Sequence, residues 1–205
     1  MTPGGLAYRD EGDPGNPVVV LLHGDGRGRN PWDDVVGMLA PWTRVIAPEP
    51  ERGAPPGDVA ASVRDLLEGL GITRCAVAGD GTGGLVAQIL AIEGGVDAMV
   101  LVGSPALEGA DAAFRALEVP ALVVYGEDDP RLPATALAEW FAEVLPMASV
   151  ALLPGHGDPL LRSAPETVAP LVFRWLRSRY LQVPHVHETG PVVVELGRRP
   201  GEESV

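Results

Sequence analysis

The chain has 205 residues, 46% of them apolar and 21% charged, which suits a soluble globular domain with a sizeable core. A formal net charge of −13, from 28 acidic and 15 basic residues, argues against nucleic acid and anionic membrane surfaces as partners. Every basic residue apart from histidine is arginine, so Schiff-base chemistry and a lysine-bearing phosphate loop are excluded. The single cysteine, Cys75, excludes an internal disulfide and a cysteine metal cluster. It opens an apolar strand and reads as a small core residue. No apolar run is long enough to span a bilayer and no secretory pattern opens the chain, so the expected compartment is the cytoplasm.

In chain order, short apolar runs alternate with amphipathic helical patterns. The strands are expected at Val18–His23, Arg44–Ala47, Cys75–Gly79, Ala98–Val102, Ala121–Tyr125 and Ser149–Leu153. These runs are brief and β-branched, with little polar alternation, as strands covered on both faces are. Between them, Asp58–Leu70 carries Val59, Val63, Leu66, Leu67 and Leu70 on one helical face, with Asp58 as its expected cap and Gly71 as its end. Pro133 opens a helix striped by Leu137, Trp140, Phe141 and Val144, and Pro146 stops it. Ser163 to Glu166 reads as a capping box for a last helix striped by Val168, Leu171, Val172, Trp175 and Leu176. The alternation predicts an α/β fold, a mostly parallel sheet with helices on both faces, over residues 1–180. Residues 181–205 are broken by proline and glycine and read as a C-terminal extension, with Pro191–Leu196 as one short strand.

Ligands of such sheets bind at the carboxyl ends of the strands, so the residues there carry the chemistry. They are His23-Gly24-Asp25-Gly26, Gly79-Asp80-Gly81-Thr82-Gly83-Gly84, Gly126-Glu127-Asp128-Asp129 and Pro154-Gly155-His156-Gly157. Four such loops in this order, each at a strand end, resemble the α/β-hydrolase superfamily from about Leu6 to Arg179. The resemblance implies the α/β-hydrolase fold, with His23-Gly24 as the oxyanion loop and the N–H of Asp25 as one oxyanion donor. It implies Gly79–Gly83 as the nucleophile elbow and the N–H of Thr82 as the second donor. Asp129 is then the acid and His156 the base. Pro48–Gly53 resembles the loop after the next strand.

This chain departs from the family at the centre of the elbow, where Gly81 stands in place of serine, cysteine or aspartate. The family's helical cap is also missing, since only Gly103–Pro120 separates two neighbouring strands, room for a loop and one short helix. The pocket is then open unless the tail or a second subunit of a homodimer covers it. Asp128 competes with Asp129 for the acid role, but the spacing from Gly126 favours Asp129. Asp80 and Asp25 add carboxylates near the elbow, a possible metal or cation site whose simpler reading is turn hydrogen bonding. His185 and His187 have strand spacing but no further ligands, so no metal and no cofactor are expected. Ser104 and Thr82 are the two hydroxyls that a displaced nucleophile would use.

Three functions fit these residues. One is a small-molecule enzyme with a His156/Asp129 general base and a backbone oxyanion hole but no covalent intermediate, as in a lyase, decarboxylase, cyclase, cofactor-free oxygenase or water-attack hydrolase. Another is a non-catalytic small-molecule-binding protein. The third is a hydrolase with its nucleophile displaced to Thr82 or Ser104. The acidic balance points to a small uncharged or weakly cationic carbonyl compound as the substrate.

Overall fold

The computed structural model describes residues 5–24 and 30–181, and the backbone of Val192–Glu195. Eight strands form one sheet in the order β1-β3-β2-β4-β5-β6-β7-β8. They are β1 (Ala7–Glu11), β2 (Val18–Leu22), β3 (Arg44–Glu49), β4 (Cys75–Asp80), β5 (Val96–Val102), β6 (Ala121–Gly126), β7 (Ala148–Leu153) and β8 (Val192–Glu195). Only β1 runs antiparallel, against β3; the other pairings are parallel. All six strands expected from the sequence are present, with ends moved by at most two residues.

The reason for unalternating apolar runs is visible in β2. All five of its residues are buried. Val18, Val20 and Leu22 face one core, and Val19 and Leu21 face the other. The first core lies under α2 (Pro56–Gly69), α3 (Gly83–Glu93), α4 (Asp111–Arg115) and α5 (Ala134–Val144). The second lies under α1 (Asp33–Leu39), α6 (Leu160–Ser163) and α7 (Pro165–Arg179). Helices thus cover both faces, as the alternation predicts. Gly103–Pro120 holds only the five-residue α4, so no cap domain is inserted there. Among the described residues no helix is long and apolar enough to cross a membrane.

Two local expectations are corrected, and a third point adds a strand. Helix α2 begins at Pro56, with Pro55 at its N-cap, so Asp58 sits in the first turn rather than capping it. There its charge still complements the helix N-terminus. The expected capping box is absent. Ser163 ends the short α6, its hydroxyl donates to Gly157 O at 3.2 Å, and α7 starts after Ala164 without a side-chain cap. The third concerns β1, which the sequence conceals: Ala-Tyr-Arg-Asp-Glu has no apolar run because it is a half-exposed edge strand. Arg9 Nη2 to Asp33 Oδ1 at 2.9 Å and Arg44 Nη2 to Asp10 Oδ2 at 2.6 Å tie it down.

Gly71 does end α2. At φ +69° it lets its own N–H reach Glu68 O at 2.9 Å while Ile72 N–H reaches Leu67 O at 2.8 Å, a Schellman closure. In the extension, the described residues Val192–Glu195 form the strand expected there. They lie beside β7 in the sheet, with Ser149 opposite Val192. His185 and His187 fall outside the described residues.

Candidate functional site

The carboxyl ends of β2, β4, β5, β6 and β7 carry the loops singled out above, and they share one rim of the sheet. Strand β4 runs out at Asp80, and helix α3 starts at Gly83 with Thr82 as its N-cap. The two elements meet at an angle that only glycine permits. A Cβ on Gly79 would lie 2.4 Å from Gly83 O, and one on Gly83 would lie 2.4 Å from Leu22 O. Real side chains never come so close, so both positions must lack one.

Gly81 differs from its neighbours. It is the apex of the turn, at φ +54°, and its N–H donates to Val102 O at 3.0 Å while its carbonyl accepts from Gly84 N–H at 3.0 Å. A Cβ there would meet nothing within 4 Å. The apex therefore projects into open space, as the position of an attacking atom would. Thr82, at φ −67° and ψ −22°, already has helical geometry. The turn thus centres on Gly81 and not on Thr82.

Thr82 N–H has no hydrogen-bond acceptor among the described residues, and it stands at the N-terminus of α3, where the helix dipole favours negative charge. The loop after β2 approaches it closely. A Cβ on Gly24 would lie 2.8 Å from Thr82 Oγ1 and 3.2 Å from Thr82 N. His23 Nδ1 donates to Gly24 O at 2.8 Å, and the buried Trp32 Nε1 holds Leu22 O at 2.9 Å. Asp25, the expected second oxyanion donor, lies outside the described residues.

On the other flank, the loops after β6 and β7 are bound to each other through the backbone. Asp128 N–H donates to His156 O at 2.9 Å, and Glu127 N–H to Leu153 O at 3.0 Å. Gly126 is needed there because a Cβ would lie 2.3 Å from His156 O. Asp129 and His156 are both half-buried on these loops. Asp129 Oδ1 accepts from Arg131 N–H at 2.7 Å and Leu132 N–H at 3.1 Å, which fixes the carboxylate on its turn. Among the described residues no hydrogen bond joins it to the His156 ring. The fold brings the two loops together but does not lock the two side chains. Asp128 is exposed.

Ser104 has a different setting from the one a nucleophile needs. It is fully buried, its Oγ donates to Pro105 O at 2.9 Å, and that oxygen also accepts from Gln88 Nε2 at 3.0 Å. Its carbonyl accepts from Tyr125 OH. It wedges against α3 so tightly that a Cβ on Gly84 would lie 2.1 Å from its Oγ. Its hydroxyl is thus part of the α3–β5 packing.

Asp80 is the most perturbed acid of the site. Its Oδ1 is sealed from solvent and has no hydrogen-bond partner. Burial pushes its carboxyl up to about 6, against the opposing pull of Arg162 and Arg131. Asp158 is a residue that the motif reading passes over. Its side chain is 3% exposed, it pairs with Arg131, and its Oδ1 lies 3.0 Å from where a Cβ on Gly103 would be. A carboxylate two residues after His156 was its only sequence signal.

No family model matches the chain, and no curated protein matches it. Solved structures do. An α/β-hydrolase enzyme, MGS-MChE2, from the metagenome of Mar Chica lagoon sediments superposes with a TM-score of 0.76 at 20% identity, covering 87% of this chain and 98% of that one. A predicted CIB-like hydrolase from Thermoplasma acidophilum gives 0.71 at 20%, covering 85% and 100%. The carboxylesterase CesB from Bacillus subtilis gives 0.74 at 14%, covering 83% and 87%. The chain has the α/β-hydrolase fold.

Proposed function

We propose that this α/β-hydrolase-fold chain is a small-molecule enzyme that works without a covalent intermediate. The observation that supports it most is the elbow itself. The backbone of the nucleophile turn is retained in full, with positive φ, flanking glycines and a free N–H at Thr82, while its apex, Gly81, carries no attacking atom. A site with the electrostatics of acyl transfer but no nucleophile is suited to stabilising charge on a substrate oxygen. His156 takes a proton from the substrate or from a water, Asp129 orients the ring, and the N–H groups of Thr82 and Asp25 receive the developing enolate or oxyanion. Lyase, decarboxylase, cyclase, cofactor-free oxygenase and water-attack hydrolase chemistries all fall within this scheme.

One observation favours a second reading, a non-catalytic small-molecule receptor. Among the described residues no hydrogen bond joins His156 to Asp129, so Asp129 does not hold the ring in a working orientation. The closing of such a bond on binding ligand is ordinary for catalytic sites, and we therefore place the enzyme first.

The test is intact-mass analysis after exposure to a fluorophosphonate. The unmodified mass is expected, because no activated hydroxyl faces His156. A stoichiometric adduct on Thr82 would overturn the proposal and establish a displaced nucleophile.

A further inference from the structure

The loops that carry Asp129 and His156 are joined on both sides of these two residues. On the near side the join is through the backbone, from Asp128 N–H to His156 O at 2.9 Å. On the far side it is ionic. Arg131, two residues after Asp129, pairs with Asp158, two residues after His156. Asp129 and His156 thus stand between a backbone hydrogen bond and an ion pair.

Asp158 is set up to hold its partner. Its side chain is almost fully buried, while Arg131 is exposed. A carboxylate taken out of water needs a cation beside it, so Arg131 is drawn to wherever the loop after β7 places that carboxylate. The placement leaves little room. Asp158 Oδ1 lies 3.0 Å from where a Cβ on Gly103 would be, and a Cβ on Gly157 would lie 2.9 Å from Asp128 O. The loops after β5, β6 and β7 therefore meet around this residue. From Arg131 the constraint passes on through one bond. Its backbone N–H donates to Asp129 Oδ1 at 2.7 Å, so holding Arg131 holds the carboxylate that is to orient the His156 ring. The same guanidinium is one of two cations that act on Asp80, the residue before the elbow apex.

We propose that Asp158 is a positioning residue for the His156 base, acting through Arg131 on the turn that holds Asp129. This rests on the reading of His156 and Asp129 as a general-base pair, and adds to it an ion pair that sets how the two loops face each other. Its loss misplaces the base relative to the apex at Gly81, and small misplacements of a catalytic group cost rate steeply.

The test is a coupling measurement in the full chain carrying Gly81→Ser, where the rate of fluorophosphonate labelling reports how well His156 is aimed at the apex. Asp158→Asn together with Arg131→Met removes the ion pair without leaving a buried charge behind, so this variant should fold. It is expected to label about tenfold more slowly than Gly81→Ser alone while His156 is present. With His156→Ala in both backgrounds, the two rates should agree within about twofold, whereas a merely loosened elbow would slow both backgrounds equally. Arg131→Lys keeps the charge and should restore most of the rate. Arg115→Met with Glu143→Gln removes an exposed ion pair between α4 and α5 and should leave the rate unchanged. If the double variant at 131 and 158 does not fold, Asp158→Asn alone, which leaves only an exposed arginine without its carboxylate, decides by the same comparison. A His156-dependent rate that survives loss of the ion pair, or a loss that is equal with and without His156, overturns the proposal and leaves the general-base reading standing. A Gly81→Ser protein that takes up no label, or labels equally well without His156, overturns that reading and the proposal with it.

Discussion

Asp80 is where a single side chain gives the sharpest thermodynamic signature. Burial lifts its carboxyl from an ordinary aspartate value to about 6, with Arg162 and Arg131 pulling the other way. A raised pKa means that the folded state binds the proton more tightly than the unfolded state does. The contribution is therefore fully present below the unfolded pKa of about 4 and is lost as pH rises through 6. Two pKa units correspond to about 3 kcal/mol, an upper figure for a group that water can still reach. Asp80→Asn should accordingly stabilise the fold by about 1–3 kcal/mol at pH 8, and the gain should shrink toward pH 4. Denaturant titrations at the two pH values check this, and a gain independent of pH would show that Asp80 is not desolvated as described. Retention of a destabilising carboxyl beside the elbow apex fits a functional site better than a structural one. Cys75 shows the structural case, since burial above all pushes its thiol up to about 12, and its place is in the core.

At the scale of elements, the crossing of β4, α3 and β2 decides the geometry of the site. Gly83 touches Leu22 and Gly79 touches Gly83, so the glycines at both ends of the elbow are packing requirements, whereas Gly81 is a conformational one. Gly83→Ala should cost about 3 kcal/mol or more, because α3 must move off backbone atoms of β2. Gly81→Ala meets no neighbour and should cost only about 1–2 kcal/mol, the penalty of a left-handed residue with a side chain. Thermal or denaturant unfolding of the two variants gives the order, and a larger loss at Gly81 would contradict it. The same elements show what the sequence made legible. Strands β2 to β7 were readable because burial on both faces leaves unbroken apolar runs, and the loops were readable because their glycines stand where a Cβ cannot. Strand β1 was not readable, since an edge strand is held by ion pairs that leave no local pattern. The start of α2 was misread because Pro55 and Pro56 set its entry before Asp58 is reached. Asp158 was missed because its burial and its arginine partner are tertiary facts.

The whole molecule has an acidic sequence and the α/β-hydrolase fold, and among the described residues no cap domain covers the strand-end rim. Two features of that rim bear on the proposed function together: an elbow whose apex carries no side chain, and the loops after β6 and β7 that bring Asp129 and His156 to one flank. All of this depends on Gly81 being the point at which the surrounding groups aim. Restoring the missing atom tests that dependence. Gly81→Ser places a hydroxyl in the open space above the turn, at a cost of about 1–3 kcal/mol for the strained backbone. The measurement is fluorophosphonate labelling of the folded Gly81→Ser protein, followed by intact mass and peptide mapping. The account predicts a stoichiometric adduct on residue 81 that disappears when His156→Ala is added. A folded Gly81→Ser protein that takes up no label, or labels equally well without His156, would contradict it.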